Sequence, residues 1–89
     1  MIQVRVIITG KVQGVGFRSS AQRRANQLGI VGWVRNLDNG SVEILAEGLE
    51  EVIEEFVSWC NVGPRGSYIE VVKVEKKAPT GDFNNFARR

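Results

Sequence analysis

Residues 10 to 20 read GKVQGVGFRSS, with Gly10, Gly14 and Gly16 leading to Arg18. Glycine reaches backbone conformations that a Cβ blocks, so such a loop can aim several N–H groups at one point, and concave N–H clusters bind anions. A helix starting just after the loop would add its own unpaired N–H groups and the positive end of its dipole. The spacing is not G-x-G-x-x-G and no Gly-Lys-Ser/Thr follows, which argues against a nucleotide loop. The glycines by themselves leave two readings open, an ordinary strand-to-helix connection and an anion site. Arg18 bears on the choice. A cation at a helix N-terminus opposes the macrodipole, and an anion held between the two would reconcile them. A guanidinium also offers paired planar donors that match two oxygens of a phosphate. The alternative is an ordinary surface arginine. Asn36 is the second candidate: its amide donates and accepts at once, so it could orient an attacking water, or it could be a polar residue beside a turn.

Other chemistries are excluded or disfavoured by composition. The chain has no histidine, so a His-based triad, a His general base and a His-containing zinc motif are ruled out. Cys60 is the only cysteine. No intrachain disulfide or paired-cysteine metal site can form, and an intracellular setting is favoured. Cys60 also falls on an apolar helical stripe with nothing to activate it. The first residues, MIQVRVIITG, lack the pattern of a signal peptide, and no apolar run approaches the ~18 residues of a membrane span. A soluble, cytoplasmic protein is expected. Twelve Lys and Arg against ten Asp and Glu give a net charge of +2, too weak to imply nucleic acid or membrane. Glu50, Glu51, Glu54 and Glu55 read as a solvated helix face. Trp33, Phe56 and Trp59 read as packing.

The elements that must position the candidates follow from periodicity. Ile2, Val4, Val6 and Ile8 alternate with polar residues, which predicts a half-buried strand ahead of the loop. Phe17, Ala21, Ala25 and Leu28 share one helical stripe, and Gly29 supplies a stop. IVGWVRNL and SVEILAE flank DNG, predicting a hairpin in which Asn39 and Gly40 take positive φ. Val52, Ile53, Phe56, Val57 and Cys60 return at helical spacing before Gly63-Pro64. SYIEVVKVEKK is a further strand, with Ile69, Val71, Val72 and Val74 as its buried candidates. FNNFARR is a candidate for a short last strand, with Asn84, Asn85 and two arginines against it. At 89 residues, of which 43% are hydrophobic and 25% charged, the chain is a single domain spanning 1–89. The order strand, helix, strand, strand, helix, strand predicts an α+β, ferredoxin-like split βαβ fold (βαββαβ), an antiparallel sheet with two helices on one face. That fold hosts many functions and decides none.

GKVQGVGFR followed by LGIVGWVRNLDNGSVEILAEG closely resembles the acylphosphatases, whose G-x-V-Q-G-V-x-F-R loop precedes an L-G-x-x-G-W-V-x-N hairpin and a D-G-x-V-E segment. FVSWCNVGPRGSYIEVVKV fits the family's second helix and next strand, so the resemblance covers almost the whole chain. It implies that the amides of Gln13, Gly14, Val15, Gly16, Phe17 and Arg18 hold the phosphate oxygens. It further implies that Arg18 is the catalytic arginine, that Asn36 positions the nucleophilic water, and that no cofactor, metal or phosphoenzyme takes part. The substrate would be a small acyl phosphate, with inorganic phosphate as product or inhibitor. A monomer without nucleic-acid or membrane partners is expected. Asp38-Asn39, Ser67 and Arg88 depart from the family pattern, and Arg88 bears on the packing of the last strand.

The residues and that reaction suit each other. The leaving group of an acyl phosphate is a carboxylate whose acid has a pKa near ~4, so it departs unprotonated at neutral pH. A phosphate monoester expels an alkoxide and makes far heavier demands. Two non-catalytic alternatives share the fold, a phosphate-binding module and an RNA-binding module. The latter stacks bases on aromatics of its central strands, and neither IQVRVIIT nor SVEILAE contains an aromatic.

Overall fold

The computed structural model describes residues 1–89. The elements, in chain order, are β1 (Ile2–Lys11), α1 (Phe17–Leu28), β2 (Val31–Asn36), β3 (Val42–Gly48), α2 (Glu50–Cys60), β4 (Tyr68–Lys77) and β5 (Phe86–Arg88). They form one sheet of order β4-β1-β3-β2-β5. The ferredoxin-like arrangement expected from the sequence is present, with both helices packed against one face. β1 lies inside the sheet, antiparallel to both β3 and β4, with Val6 opposite Ile44 on one side and Val74 on the other.

Alternation explains the core. On the helix side β1 buries Val4, Val6 and Ile8, and β3 buries Val42, Ile44 and Ala46. α1 meets them with Phe17, Ala21 and Ala25, and α2 with Ile53, Phe56 and Cys60. Full burial of a side chain such as Phe56 contributes about 1.5–3 kcal/mol. Phe56 also meets Trp59 and Phe86, each at a ring separation of 6.0 Å. Gly29 stops α1 in the left-handed conformation (φ 71°), and its neighbour's N–H, that of Ile30, reaches back to the Ala25 carbonyl at 2.9 Å. The glutamates at 50, 51, 54 and 55 face solvent, as their spacing predicts.

The opposite face of the sheet is polar. Glu43 on β3 is buried and accepts from Arg5 Nε and Arg35 Nε, both at 2.6 Å. Glu47, also buried, accepts from Gln3 Nε2 at 2.7 Å, from the Thr80 N–H at 2.9 Å, from the Thr80 hydroxyl at 2.7 Å and from the Gly81 N–H at 3.1 Å. The segment around residues 80 and 81 is thereby tied across the sheet before the chain enters β5. Burial works to raise both carboxyl pKa values. Hydrogen bonds outweigh it and hold both below the ordinary 4.5, from Arg35 and Arg5 at Glu43 and from Thr80, Gly81 and Gln3 at Glu47.

A pH dependence follows. A carboxylate whose folded pKa is depressed stabilises the fold above its unfolded value, and that contribution disappears as the pH falls through the folded value. Stability should therefore be level near neutrality and decline as pH drops below about 4.5. Glu47→Gln should lose about 1–3 kcal/mol at pH 7, because donors aimed at a carboxylate would meet an amide. It should also show a shallower acid decline than the native protein. Urea unfolding at a series of pH values measures both, and an unchanged acid slope would remove Glu47 from the account.

Three expectations require correction. Val71 and Val74 are not buried: they are 45% and 43% exposed, and Ile69 and Val72 are half-buried. Val71 pairs with Thr9 and faces away from the helices, while Val74 pairs with Val6 on the helix face but stands on the edge strand, where cover is incomplete. Asn39 does not take positive φ; Gly40 alone does so in that turn, at 91°. Asn39 serves instead through its side chain, whose Oδ1 accepts the Ser41 N–H at 3.0 Å, while Leu37 N–H reaches the Ser41 carbonyl at 2.8 Å. The sheet is also not wholly antiparallel. FNNFARR does yield a strand, β5, and it runs parallel to β2, with Gly32, Trp33 and Val34 opposite Phe86, Ala87 and Arg88. Phe86 anchors it by burial, and the Arg88 guanidinium donates to the Ser19 hydroxyl, so the unusual tail residue is accommodated at the edge.

Candidate active site

The loop from Val12 to Phe17 is held by its ends. Val12 and Phe17 are both buried, and the Phe17 ring lies 5.3 Å from Trp59 of α2. With its side chain committed to the core, Phe17 can present only its backbone to a ligand. Between these anchors Gly14 and Gly16 both adopt left-handed φ, 73° and 76°, while Val15 does not. A Cβ on either glycine would meet nothing within 4 Å, so glycine is required there by conformation and not by crowding. Alternation of this kind makes successive N–H groups converge.

The N–H groups of this stretch are free. None from Gln13 through Ser19 donates to any acceptor in the protein, and the first to find one is Ser20, bonding the Gly16 carbonyl at 3.0 Å. Part of that run belongs to the first turn of α1, whose dipole adds to the same positive end. α1 has no side-chain cap and no acidic residue in its first turn. Nothing in the chain itself neutralises this end.

Arg18 and Asn36 approach from two elements. Arg18 Nη1 donates to the main-chain oxygen of Arg89 at 2.9 Å, and its remaining guanidinium nitrogens have no protein partner. The Arg89 N–H in turn bonds the Val34 carbonyl at 2.8 Å, which aligns this segment with β2. Asn36 ends β2, is exposed, and its amide makes no hydrogen bond within the protein. The link between loop and hairpin is Gln13. Its Nε2 donates to the carbonyls of Leu37 and Ser41 at 2.8 and 2.9 Å, clamping the loop to the turn directly after Asn36.

All the candidate residues named from the sequence thus fall in one region, 13–18 as one loop and Asn36 one residue from the Gln13 contact. Sequence reasoning missed the side-chain role of Gln13, the Arg18 to Arg89 bond and the Arg88 to Ser19 bond. No pattern announces them, because each joins residues more than 20 positions apart through a main-chain oxygen or a lone hydroxyl. Cys60 is set apart from this chemistry: it is fully buried, and burial pushes its thiol pKa up to about 12. No group of three or more Cys, Asp and Glu side chains is arranged to hold a metal ion.

Comparison with known proteins is decisive about family. The acylphosphatase family model matches residues 4–88. The chain belongs to the acylphosphatase family. It is 49% identical over 81 residues to an acylphosphatase of Trichormus variabilis, covering 91% of this chain and 80% of that one. The crystal structure of the Bacillus subtilis acylphosphatase superposes with a TM-score of 0.97 at 38% identity, covering 100% of this chain and 99% of the other. An acylphosphatase from Coxiella burnetii superposes with a TM-score of 0.93 at 35% identity, covering 99% and 92%. Acylphosphatase function at the level of the family rests on this agreement of sequence and fold over nearly the full length. No helix is long and apolar enough to cross a membrane.

Proposed function

We propose that the protein hydrolyses acyl phosphates to a carboxylate and inorganic phosphate, with the 13–18 loop and Arg18 holding the phosphoryl group and Asn36 orienting the water. The observation that carries this reading is the run of N–H groups from Gln13 to Ser19 with no acceptor, closed at one side by Arg18. The phosphoryl oxygens would accept from the N–H groups of Gln13, Gly14, Val15, Gly16, Phe17 and Arg18. The free nitrogens of Arg18 would add a charge-assisted pair.

Water, accepting from or donating to the Asn36 amide, would attack phosphorus in line with the departing oxygen. The new P–O bond forms as the bond from phosphorus to the acyl oxygen breaks, and the carboxylate leaves with the electron pair. Both protons of the water remain with the phosphate, giving a carboxylate and dihydrogen phosphate. The leaving group needs no proton at neutral pH. Phosphoryl transfer through a loose transition state is accelerated chiefly by positioning and by fixed donors, the two things this region offers.

The test is hydrolysis of benzoyl phosphate by the native protein, followed by its ultraviolet absorbance, with inorganic phosphate as competitor. Acceleration over buffer with competitive inhibition by phosphate is expected. A well-folded protein that binds phosphate and leaves benzoyl phosphate and other acyl phosphates intact would instead be an anion-binding module.

A further inference from the structure

The phosphate loop has two flanks. Gln13 faces the β2–β3 turn beside Asn36, while Val15 borders a cleft of about 520 Å3 between α1, the end of α2 and the connection that leads to β4. The cleft is lined by Arg23 and Arg24 of α1 and by Arg65, with Trp59 and Pro64 as apolar walls, and no acidic residue lines it. Arg23 and Arg65 make no ion pair or side-chain hydrogen bond. Arg24 meets one carboxylate, Glu55, at 3.6 Å, and its Nε is shut off from solvent without an acceptor. Three guanidinium groups are thus gathered around a concavity with almost no anion of the protein's own to answer them. The solvent-facing guanidinium donors of Arg23 and Arg65, which have no protein partner, are groups that ligand oxygens would satisfy.

We propose that this cleft receives the acyl half of the substrate and selects acyl groups that carry a second negative charge at their far end, a carboxylate or a phosphate. The proposal rests on the acyl phosphate reading above. In-line displacement puts the attacking water and the departing oxygen on opposite sides of phosphorus. Water on the Asn36 flank sends the leaving carboxylate toward the Val15 flank, where the cleft opens. Val15, Trp59 and Pro64 line a path for the acyl carbons. Arg23, Arg24 and Arg65 take the distal anion with the planar donor pairs that suit carboxylate and phosphate alike.

The experiment compares kcat/KM for three probes: benzoyl phosphate, whose acyl group is uncharged; succinyl monophosphate, which ends in a carboxylate; and an acyl phosphate whose chain ends in a phosphate monoester. The native protein should prefer at least one anionic probe over benzoyl phosphate, and which of the two it prefers identifies the distal group. In Arg65→Ala that preference should fall about tenfold, through KM, and the Arg23→Ala and Arg65→Ala changes together should abolish it. Both side chains are exposed, so neither change threatens the fold. Hydrolysis of all three probes with the same preference in native protein and variants would overturn the subsite and leave the activity standing. Failure to hydrolyse any of them would overturn the activity and the subsite together.

Discussion

Arg18→Ala is expected to lower kcat/KM for benzoyl phosphate by about 10³-fold or more, the scale on which an arginine serving phosphoryl transfer acts. The inhibition constant for inorganic phosphate should rise as well, because the guanidinium would contact ground state and transition state alike. Arg18→Lys should restore little: an ammonium keeps the charge but has no planar pair of donors, one of which is already engaged with Arg89. Loss of that Arg89 bond is the competing explanation for any inactivity, since it could loosen β5. It predicts a different result. A single exposed hydrogen bond is worth about 0.5–1.5 kcal/mol, so Arg18→Ala should remain folded by circular dichroism with only a small fall in urea midpoint. Full activity in a folded Arg18→Ala protein would refute the assignment of this residue.

Asn36→Ala should behave differently. Turnover should drop by about 10²–10³-fold while phosphate inhibition stays near the native value, because orienting water matters only in the chemical step. The side chain is exposed and makes no hydrogen bond within the protein, so stability should not move. Asn36→Asp is a sharper probe, as it preserves shape while placing a negative charge near the phosphoryl group. It should depress both turnover and phosphate affinity. If Asn36→Ala abolished phosphate binding in a folded protein, the separation of roles between Arg18 and Asn36 would be wrong.

The catalytic candidates and most of the fold were legible because they are encoded locally. Val4, Val6 and Ile8 alternate, Phe17, Ala21 and Ala25 share a stripe, and Gly14 and Gly16 need no distant partner to reveal a special backbone. What eluded pattern reading depends on who the neighbour is. Val71 and Val74 have the same propensity as Val4 and Val6, but the pairing with Thr9 turns Val71 to the face away from the helices, and Val74, on the helix face beside Val6, is left half open by its place on the edge strand. Phe86 signals a buried anchor, but the parallel direction of β5 depends on the path of the chain after β4, which no short-range signal carries. At Asn39 two local solutions compete, a left-handed backbone or a side-chain acceptor for Ser41, and the turn takes the second. Gln13 looks like one more loop residue until the hairpin is folded beside it.

The place of β1 between two later strands has a consequence for how the protein is made. Its partners, β3 and β4, lie tens of residues further along the chain, so the strand that leads into the 12–17 loop is made before both and is fully paired only once β4 has been made. Pairings of such long sequence separation are slow to form. Until Tyr68–Lys77 is synthesised, β1 lacks its second neighbour, and Val4, Val6 and Ile8 belong to a sheet with an open edge. The loop that would grip phosphate is written in a few adjacent residues, yet its footing is completed only when β4 has emerged. A nascent chain stalled before β4 would therefore hold this loop on an incomplete sheet and be prone to associate.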